Sequence, residues 1–483
     1  MRGGLSLRVS IGAVLDDVLA LVAIFETIAL GQLVLYPFSF YTVGSFAWYQ
    51  AQAFRRLSLL SPLVLVLLLY AWLATLAVRI TREHSVRLDR FVHALARTVG
   101  RSDTEASATE KFLVLHHPRL LLIIAMSVSA LLGVLPYWPG LNPNGNIVGV
   151  DTPTYVNWTN QMLTKSFPQA VSYAFSQADS GFRPLLLIIF YSIASLGLGS
   201  QRTVEFSPIV LGPLMSLSIF YFVKTGSGNV GGAAISGVIA CFSFDVTVGI
   251  WGGYLANWLA MTIAYFFLAG FFIFERSERK TFLVPLFLLS LGMLLTHPWT
   301  WAMILATTFV FGMSRSRDRR KLLTISSAVL ILSGVIVDFV KNQLVGSTTL
   351  VADLGTKAPV FGISQFLLFW PNIWTALTVF YDGLLGNAVL LALSALSIVA
   401  VKFQDRMEGM LFCWVASTSV PFALLNSFHQ TRLIYDLPIA PLAALGTLLL
   451  MSKAGGGNLR ATLILLTIIL FSANYAVGSI IQA

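Results

Sequence analysis

The sequence predicts an all-α polytopic integral membrane protein, with about 13 transmembrane helices and interfacial helices in its first large outer loop. Three observations predict it. Of the 483 residues, 57% are hydrophobic and only 11% charged, with a mean hydropathy of +0.80; a soluble domain carries roughly twice that share of charge. Several apolar runs approach the roughly 20 residues needed to cross a bilayer, LSLLSPLVLVLLLYAWLATLAV (57–78) being the clearest. The charges fall in the gaps between runs, not in the alternating short segments of a membrane barrel.

Read in order, residues 1–118 hold two spans, at 13–36 and 57–78, and a basic inner loop. The start, MRGGLSLRVSIGAVLDD, has no compact apolar core with a small-residue cleavage site and does not read as a cleaved signal peptide. Within the loop, Val86, Phe91, Leu95 and Val99 form one helical face flanked by Arg87, Arg90 and Arg97. That spacing fits an amphipathic helix on the inner membrane surface. Residues 119–340 carry spans at 119–138, 205–223, 230–250, 254–274, 281–297, 299–314 and 321–340. Residues 341–483 carry four more, at 383–401, 409–426, 434–452 and 461–480. The apolar stretches 184–199 and 364–381 are read as not crossing.

Basic residues mark the cytoplasmic side of a membrane protein. The groups ERSERK (275–280) and SRSRDRRK (314–321) and the loop 79–118 are all cytoplasmic only if 184–199 stays on one side. The N-terminus is then cytoplasmic and the C-terminus extracytoplasmic. The net charge of +10 therefore points to membrane lipids and not to nucleic acid. Cys241 and Cys413 fall within spans and offer no disulfide framework.

Ionisable groups near span ends are costly to bury and are functional candidates. The predicted outer side holds Asp151, Asp179, Arg183, His297, Asp353, Asp382, His429, Arg432 and Asp436. Asp151 lies in GNIVGVDTPTYVNW (145–158), where Asp-Thr-Pro-Thr also suits a helix start with Asp151 as N-cap. His297 sits in LLTHPWTW, where Pro298 ends a span and Trp299 and Trp301 suit an interfacial belt. The densest group is NSFHQTRLIYDLP (426–438), with His429, Arg432, Tyr435 and Asp436. Arg432 paired with Asp436 is one reading. A phosphate site is the other, since guanidinium binds phosphate oxygens bidentately.

The order of these parts resembles the GT-C superfamily of membrane glycosyltransferases, which includes oligosaccharyltransferases, protein O-mannosyltransferases and lipid A aminoarabinose transferases. The span 119–138, then GVDTPTYVNW, then GFRPLLLIIFYSIASLGLG stand where that family has a span leading into a first outer loop with a functional acid and membrane-lying helices. Residues 119–340 would be a seven-span catalytic module, residues 1–118 an N-terminal addition and residues 341–483 the variable part. The resemblance implies transfer of a sugar, with inversion, from a polyprenyl phosphate or pyrophosphate donor to a lipid, glycan or protein acceptor on the extracytoplasmic face. It implies Asp151 as the base that takes the acceptor's proton, with Arg432 first and Arg183 and His429 behind it for the donor phosphate. His297, Tyr155, Tyr435 and Asp436 would line the cavity. A divalent cation, Mg or Mn, would be held by Asp151 if any is bound. Here the acid is single, where several members have a pair. A secondary transporter and an O-antigen polymerase or ligase are the alternatives. The composition suits the plasma membrane of a bacterium or archaeon.

Overall fold

The computed structural model describes residues 18–24, 27, 31, 117–357, 384–400, 405–424, 433–453 and 457–481. Among them the secondary structure is helical, with no strand. In chain order the helices are α1 (Pro118–Val134), α2 (Thr152–Leu163), α3 (Phe167–Ser176), α4 (Pro184–Ile193), α5 (Ser200–Glu205), α6 (Ser207–Ser227), α7 (Val230–Cys241), α8 (Phe244–Trp251), α9 (Leu255–Ser277) and α10 (Leu283–Leu294). They continue with α11 (Pro298–Ser314), α12 (Arg317–Val345), α13 (Leu350–Lys357), α14 (Leu384–Ala400), α15 (Arg406–Leu424), α16 (Ile439–Lys453) and α17 (Gly457–Ile481).

Six stretches among the described residues are long and apolar enough to cross a membrane: Pro118–Tyr137, Ser200–Ser227, Val230–Trp251, Leu255–Ser277, Arg319–Val345 and Leu459–Ile481. The chain is a multi-pass helical membrane protein. Other apolar helices, such as Lys280–Leu294 and Ile439–Ser452, are shorter. The predicted span 57–78, the amphipathic helix of the inner loop and the stretch 364–381 lie outside the described residues, as does most of 13–36.

Helix ends follow local chemistry. Proline occupies the first turn of α1, α2, α3, α4, α6 and α11, where its missing N–H costs no hydrogen bond and its φ is already helical. Left-handed glycines end α6 at Gly228 and α12 at Gly346. The predicted span 230–250 is a broken helix, interrupted at Phe242–Ser243 between α7 and α8.

The core is a set of long helices in close contact. Without a hydrophobic drive between helices in lipid, small residues at crossings set how closely they pack. Gly133, near the end of α1, faces the start of α6: a Cβ there would lie 2.8 Å from the Ile209 N and the Pro208 carbonyl carbon. One turn back, Ser129 meets Gly212. The two helices are therefore antiparallel, and residues 138–199 leave and return at the same end of the pair. A single crossing by Pro184–Leu198 would deliver the chain to the opposite end. Instead that segment ends in a π turn with Gly197 at φ 105. Its two flanks are tied back towards α2, by Arg183 to Tyr155 and by Ser200 Oγ to Asn160 Oδ1 at 2.5 Å.

Helix α9 runs beside α6 in the same direction: Thr262 reaches Met215, and Phe272 stacks on Phe222 with centroids 5.5 Å apart. Tyr265 and Trp414 complete this buried aromatic group, their centroids 5.2 Å apart. At the far end of α9, the buried Glu275 carboxylate draws Arg315 (3.4 Å), Arg319 (3.7 Å) and Arg406 (3.5 Å). At 1.5 Å per residue, this basic end lies roughly 30 Å from the start of α9.

Gly133→Leu is expected to wedge α1 from α6. Overpacking of this kind costs about 1–3 kcal/mol, read as a lower melting temperature of the purified protein in detergent. Gly478→Ala, at a position where a Cβ meets nothing within 4 Å and the backbone is not left-handed, should not lower the melting temperature in the same assay.

Candidate functional site

The site is built around the seven residues WGGYLAN (251–257), which join α8 to α9. Two backbone hydrogen bonds dock the Asp151 loop on this turn. The Val150 N–H donates to the Trp251 carbonyl at 3.0 Å and the Asp151 N–H to the Gly252 carbonyl at 3.1 Å. The approach requires glycine. Gly253 is left-handed at φ +66, and a Cβ on it would sit 2.7 Å from the Thr152 N and 3.0 Å from the Asp151 N. Gly149 is also at positive φ, with the Ile250 carbonyl 2.7 Å from where its Cβ would be.

Asp151 holds the N-cap position of α2 and Pro153 lies in the first turn, as the sequence suggests. Its carboxylate, however, makes no capping hydrogen bond to the helix. The carboxylate instead contributes to the field around Arg183, as do Tyr155 and Asp179.

Arg183 is the centre of this first cluster. Its side chain is 14% exposed, and its Nε pairs with Asp179 Oδ2 at 2.6 Å. A terminal nitrogen donates to the Tyr155 phenol oxygen, and the guanidinium lies 5.4 Å from the Tyr155 ring centroid and 6.0 Å from that of Trp158. Burial alone would make it easier to deprotonate; Tyr155, Asp179 and Asp151 outweigh that and raise its pKa. Arg183 is therefore a fixed cation. Tyr155 is fully buried, and its phenol oxygen also accepts the Ala256 N–H at 3.4 Å, one of the donors that the first turn of a helix leaves unsatisfied.

A second buried cluster surrounds Thr300. The His297 Nδ1 caps α11 by accepting the Thr300 N–H, so this nitrogen is an acceptor in the cap and the ring proton belongs on Nε2. The Thr300 hydroxyl lies 2.7 Å from His297 Nδ1, 2.7 Å from Asn257 Oδ1 and 3.0 Å from Asp436 Oδ1. One hydroxyl proton cannot serve three acceptors. Turning the Asn257 amide end for end lets its nitrogen donate to Thr300, which leaves His297 Nδ1 and the Asp436 carboxylate to share the hydroxyl proton. Asp436 is 1% exposed, and its backbone carbonyl accepts the Trp414 indole N–H at 2.8 Å.

The turn joins the two clusters. Gly252 and Ala256 hold Asp151 and Tyr155; Asn257 reaches Thr300; and the Tyr254 ring meets that of Tyr435 edge-on, 5.6 Å between centroids. Another backbone bond, Leu185 N–H to the Leu295 carbonyl at 3.0 Å, ties the Arg183 segment to the residues just before His297.

Of the residues singled out in the sequence, Asp151, Tyr155, Arg183, His297, Tyr435 and Asp436 therefore gather at one end of the bundle. Arg432 and His429 lie outside the described residues. The Tyr435 phenol donates to the Asp245 carbonyl at 2.6 Å, which makes it a packing contact. Asp436 does not enter a helix: α16 begins at Ile439. Four participants went unread in the sequence: the Gly252–Gly253 pair, Asn257, Thr300 and Asp245. The last is a buried acid inside the predicted span 230–250, so not every charge sits at a span end. An acid within an apolar run was the signal available.

The described residues do not compose a cation shell around Asp151. Asp179 is engaged by Arg183, and no group of three or more His, Cys, Asp or Glu able to hold a metal occurs among the described residues.

Fold and site together define a multi-pass helical membrane protein with a polar site at one end of its bundle. No family model and no curated protein matches the sequence at a significant level. Among solved structures the chain is similar to the apo crystal structure of the Archaeoglobus fulgidus oligosaccharyltransferase, at 15% identity and a TM-score of 0.48, over 75% of this chain and 56% of that one. It is also similar to the cryo-EM structure of the arabinofuranosyltransferase AftD from mycobacteria, at 16% identity and a TM-score of 0.47, over 75% of this chain and 27% of that one. Both are membrane glycosyltransferases of the GT-C fold, and the chain spans about half the length of the first and about a quarter of the second.

Thr300→Val keeps the side-chain volume and removes the hydroxyl from the second cluster. Leaving buried polar groups unmatched costs about 1–3 kcal/mol, expected as a lowered melting temperature in detergent. Thr300→Ser should restore most of it.

Proposed function

We propose that the chain is a membrane glycosyltransferase. It moves a sugar from a polyprenyl phosphate or pyrophosphate to an acceptor hydroxyl on the extracytoplasmic face, with inversion at the anomeric carbon. The observation that carries this reading is the place of Asp151: a carboxylate that does not cap its helix, within the electrostatic field of a fixed guanidinium, Arg183, at the end of the bundle opposite the arginine-rich end. The basic end suits the cytoplasm, which supports an extracytoplasmic position for the site.

The chemistry asks three things of the residues. The acceptor hydroxyl must lose a proton as its oxygen attacks the anomeric carbon, and the Asp151 carboxylate takes it. The bond from that carbon to the phosphate oxygen breaks on the opposite face, and the electron pair leaves on the phosphate. The departing anion needs donors near the membrane surface. Arg432 is the first candidate for that role and His429 the second. Arg183 has five N–H donors, but Asp179 and Tyr155 occupy two of them and Asp179 offsets its charge. Its main work in this scheme is to hold positive charge near Asp151, with phosphate contact secondary. No step runs through a metal ion.

Asp151→Asn is expected to abolish transfer without unfolding the protein. Surface glycans and polyprenyl-linked lipids, measured by mass spectrometry, should lose one sugar on gene deletion. The native chain should restore it and Asp151→Asn should not. Unchanged glycans and lipids in the deletion strain would contradict the reading and bring a transport assay forward. If Arg432→Gln and His429→Gln abolish transfer while Asp151→Asn retains it, the O-antigen polymerase or ligase reading takes its place.

A further inference from the structure

The turn that carries Arg183 is held from outside the site by a buried ion pair. Asp338 and Lys341 stand one turn apart on α12, each side chain 6% exposed, with Lys341 Nζ 2.9 Å from Asp338 Oδ1. Lys341 Nζ also donates to the Gly181 carbonyl at 3.1 Å and lies 5.7 Å from the Phe182 ring centroid. Gly181 and Phe182 are the two residues before Arg183. The other Asp338 oxygen accepts the Leu350 N–H at 2.7 Å, at the start of α13. Asp353 of α13 in turn accepts the Trp299 indole N–H at 3.1 Å, two residues from His297.

The turn so held is a tight one. Asp179 is a non-glycine residue at φ 47 and Gly181 is at φ 76. A Cβ on Gly181 would come 2.8 Å from the Ser347 Cβ, so the loop after α12 is packed directly against it. A positive φ in a residue with a side chain persists only where surrounding contacts enforce it. The contacts here are the Asp179–Arg183 pair on one side and the Lys341 ammonium on the Gly181 carbonyl on the other. A buried ion pair gives little net stability but fixes geometry.

We infer that Asp338 and Lys341 are positioning residues for the Asp151–Arg183 pair. Lys341 fixes the Gly181 carbonyl and with it the direction in which Arg183 leaves the turn; Asp338 fixes Lys341 and couples that turn to the start of α13. Neither residue touches the reacting atoms. The catalytic meaning of this clasp rests on the proposed glycosyltransferase reading; its mechanical meaning does not.

The test uses the full-length protein in lipid nanodiscs and hydrogen exchange read by mass spectrometry. Lys341→Met removes the bond to Gly181. Asp338→Leu with Lys341→Met removes the whole pair while keeping the volume apolar, which guards against a fold lost to one unpaired charge. Both should speed exchange by about tenfold in peptides covering 150–158 and 178–185, as expected for loss of one charged hydrogen bond. Peptides from α1 and α6 should be unchanged. Exchange that rises only within 336–357, or uniformly along the chain, would overturn the inference.

Glycan mass spectrometry on the same variants gives the second arm. If Lys341 acts through Arg183, Arg183→Gln with Lys341→Met should transfer no less sugar than Arg183→Gln alone. Additive losses would overturn the inference. A shift in exchange with no glycan altered by any variant, Asp151→Asn included, would retain the clasp and remove the glycosyltransferase reading.

Discussion

Everything at this end of the molecule depends on one close approach: the backbone of Gly149–Thr152 against that of Trp251–Gly253. The two hydrogen bonds there are ordinary in length, but the approach is possible only because residues 149 and 253 have no Cβ. Non-helical backbone at the edge of a membrane must satisfy its own polar groups. Here the Asp151 loop and the turn between α8 and α9 satisfy each other. The first turn of α9 then offers its Ala256 N–H to Tyr155 and the Asn257 side chain to Thr300. Three chain segments far apart in sequence, around Asp151, Thr300 and Tyr435, are in this way assembled on one short turn.

Electrostatics explains why the two polar clusters differ in kind. Arg183 cannot lose its charge, so a largely buried guanidinium needs carboxylates near it. Asp179 supplies one at 2.6 Å, and Asp151 adds to the field without serving the helix end. The second cluster has no such cation among its described members. His297, Thr300, Asn257 and Asp436 instead share protons through one hydroxyl. The first cluster therefore sets a carboxylate in the field of a fixed cation. The second is a lock between α9, α11 and the residues before α16.

Much of this was legible in the sequence. The long apolar runs, the gaps that hold the charge, and the grouping of Asp151, Arg183, His297 and Asp436 at one end all follow from composition and spacing. The N-cap position of Asp151 follows from Asp-Thr-Pro; the Asp179–Arg183 pair went unread, although its i,i+4 spacing carried it. What stayed hidden depends on distance in space. Nothing local says that Gly253 faces Thr152 or that Thr300 meets Asp436, 136 residues on. Lys341 shows the same limit: it reads as a cation ending a span, but its partner is a carbonyl 160 residues earlier. The break at Phe242–Ser243 was hidden for another reason, since both halves are equally apolar.

The most direct measurement targets the turn itself. Gly253→Ala adds one methyl group where the backbone of Asp151 and Thr152 must come close, and it changes no charged or hydrogen-bonding side chain. Hydrogen exchange of the purified protein would show whether α1 and α6 remain protected, and glycan mass spectrometry would show whether sugar is still transferred. If the turn positions the reactive carboxylate, the core stays protected and transfer falls as far as it does without Asp151. Native levels of transfer from a chain carrying Ala at 253 would contradict the account.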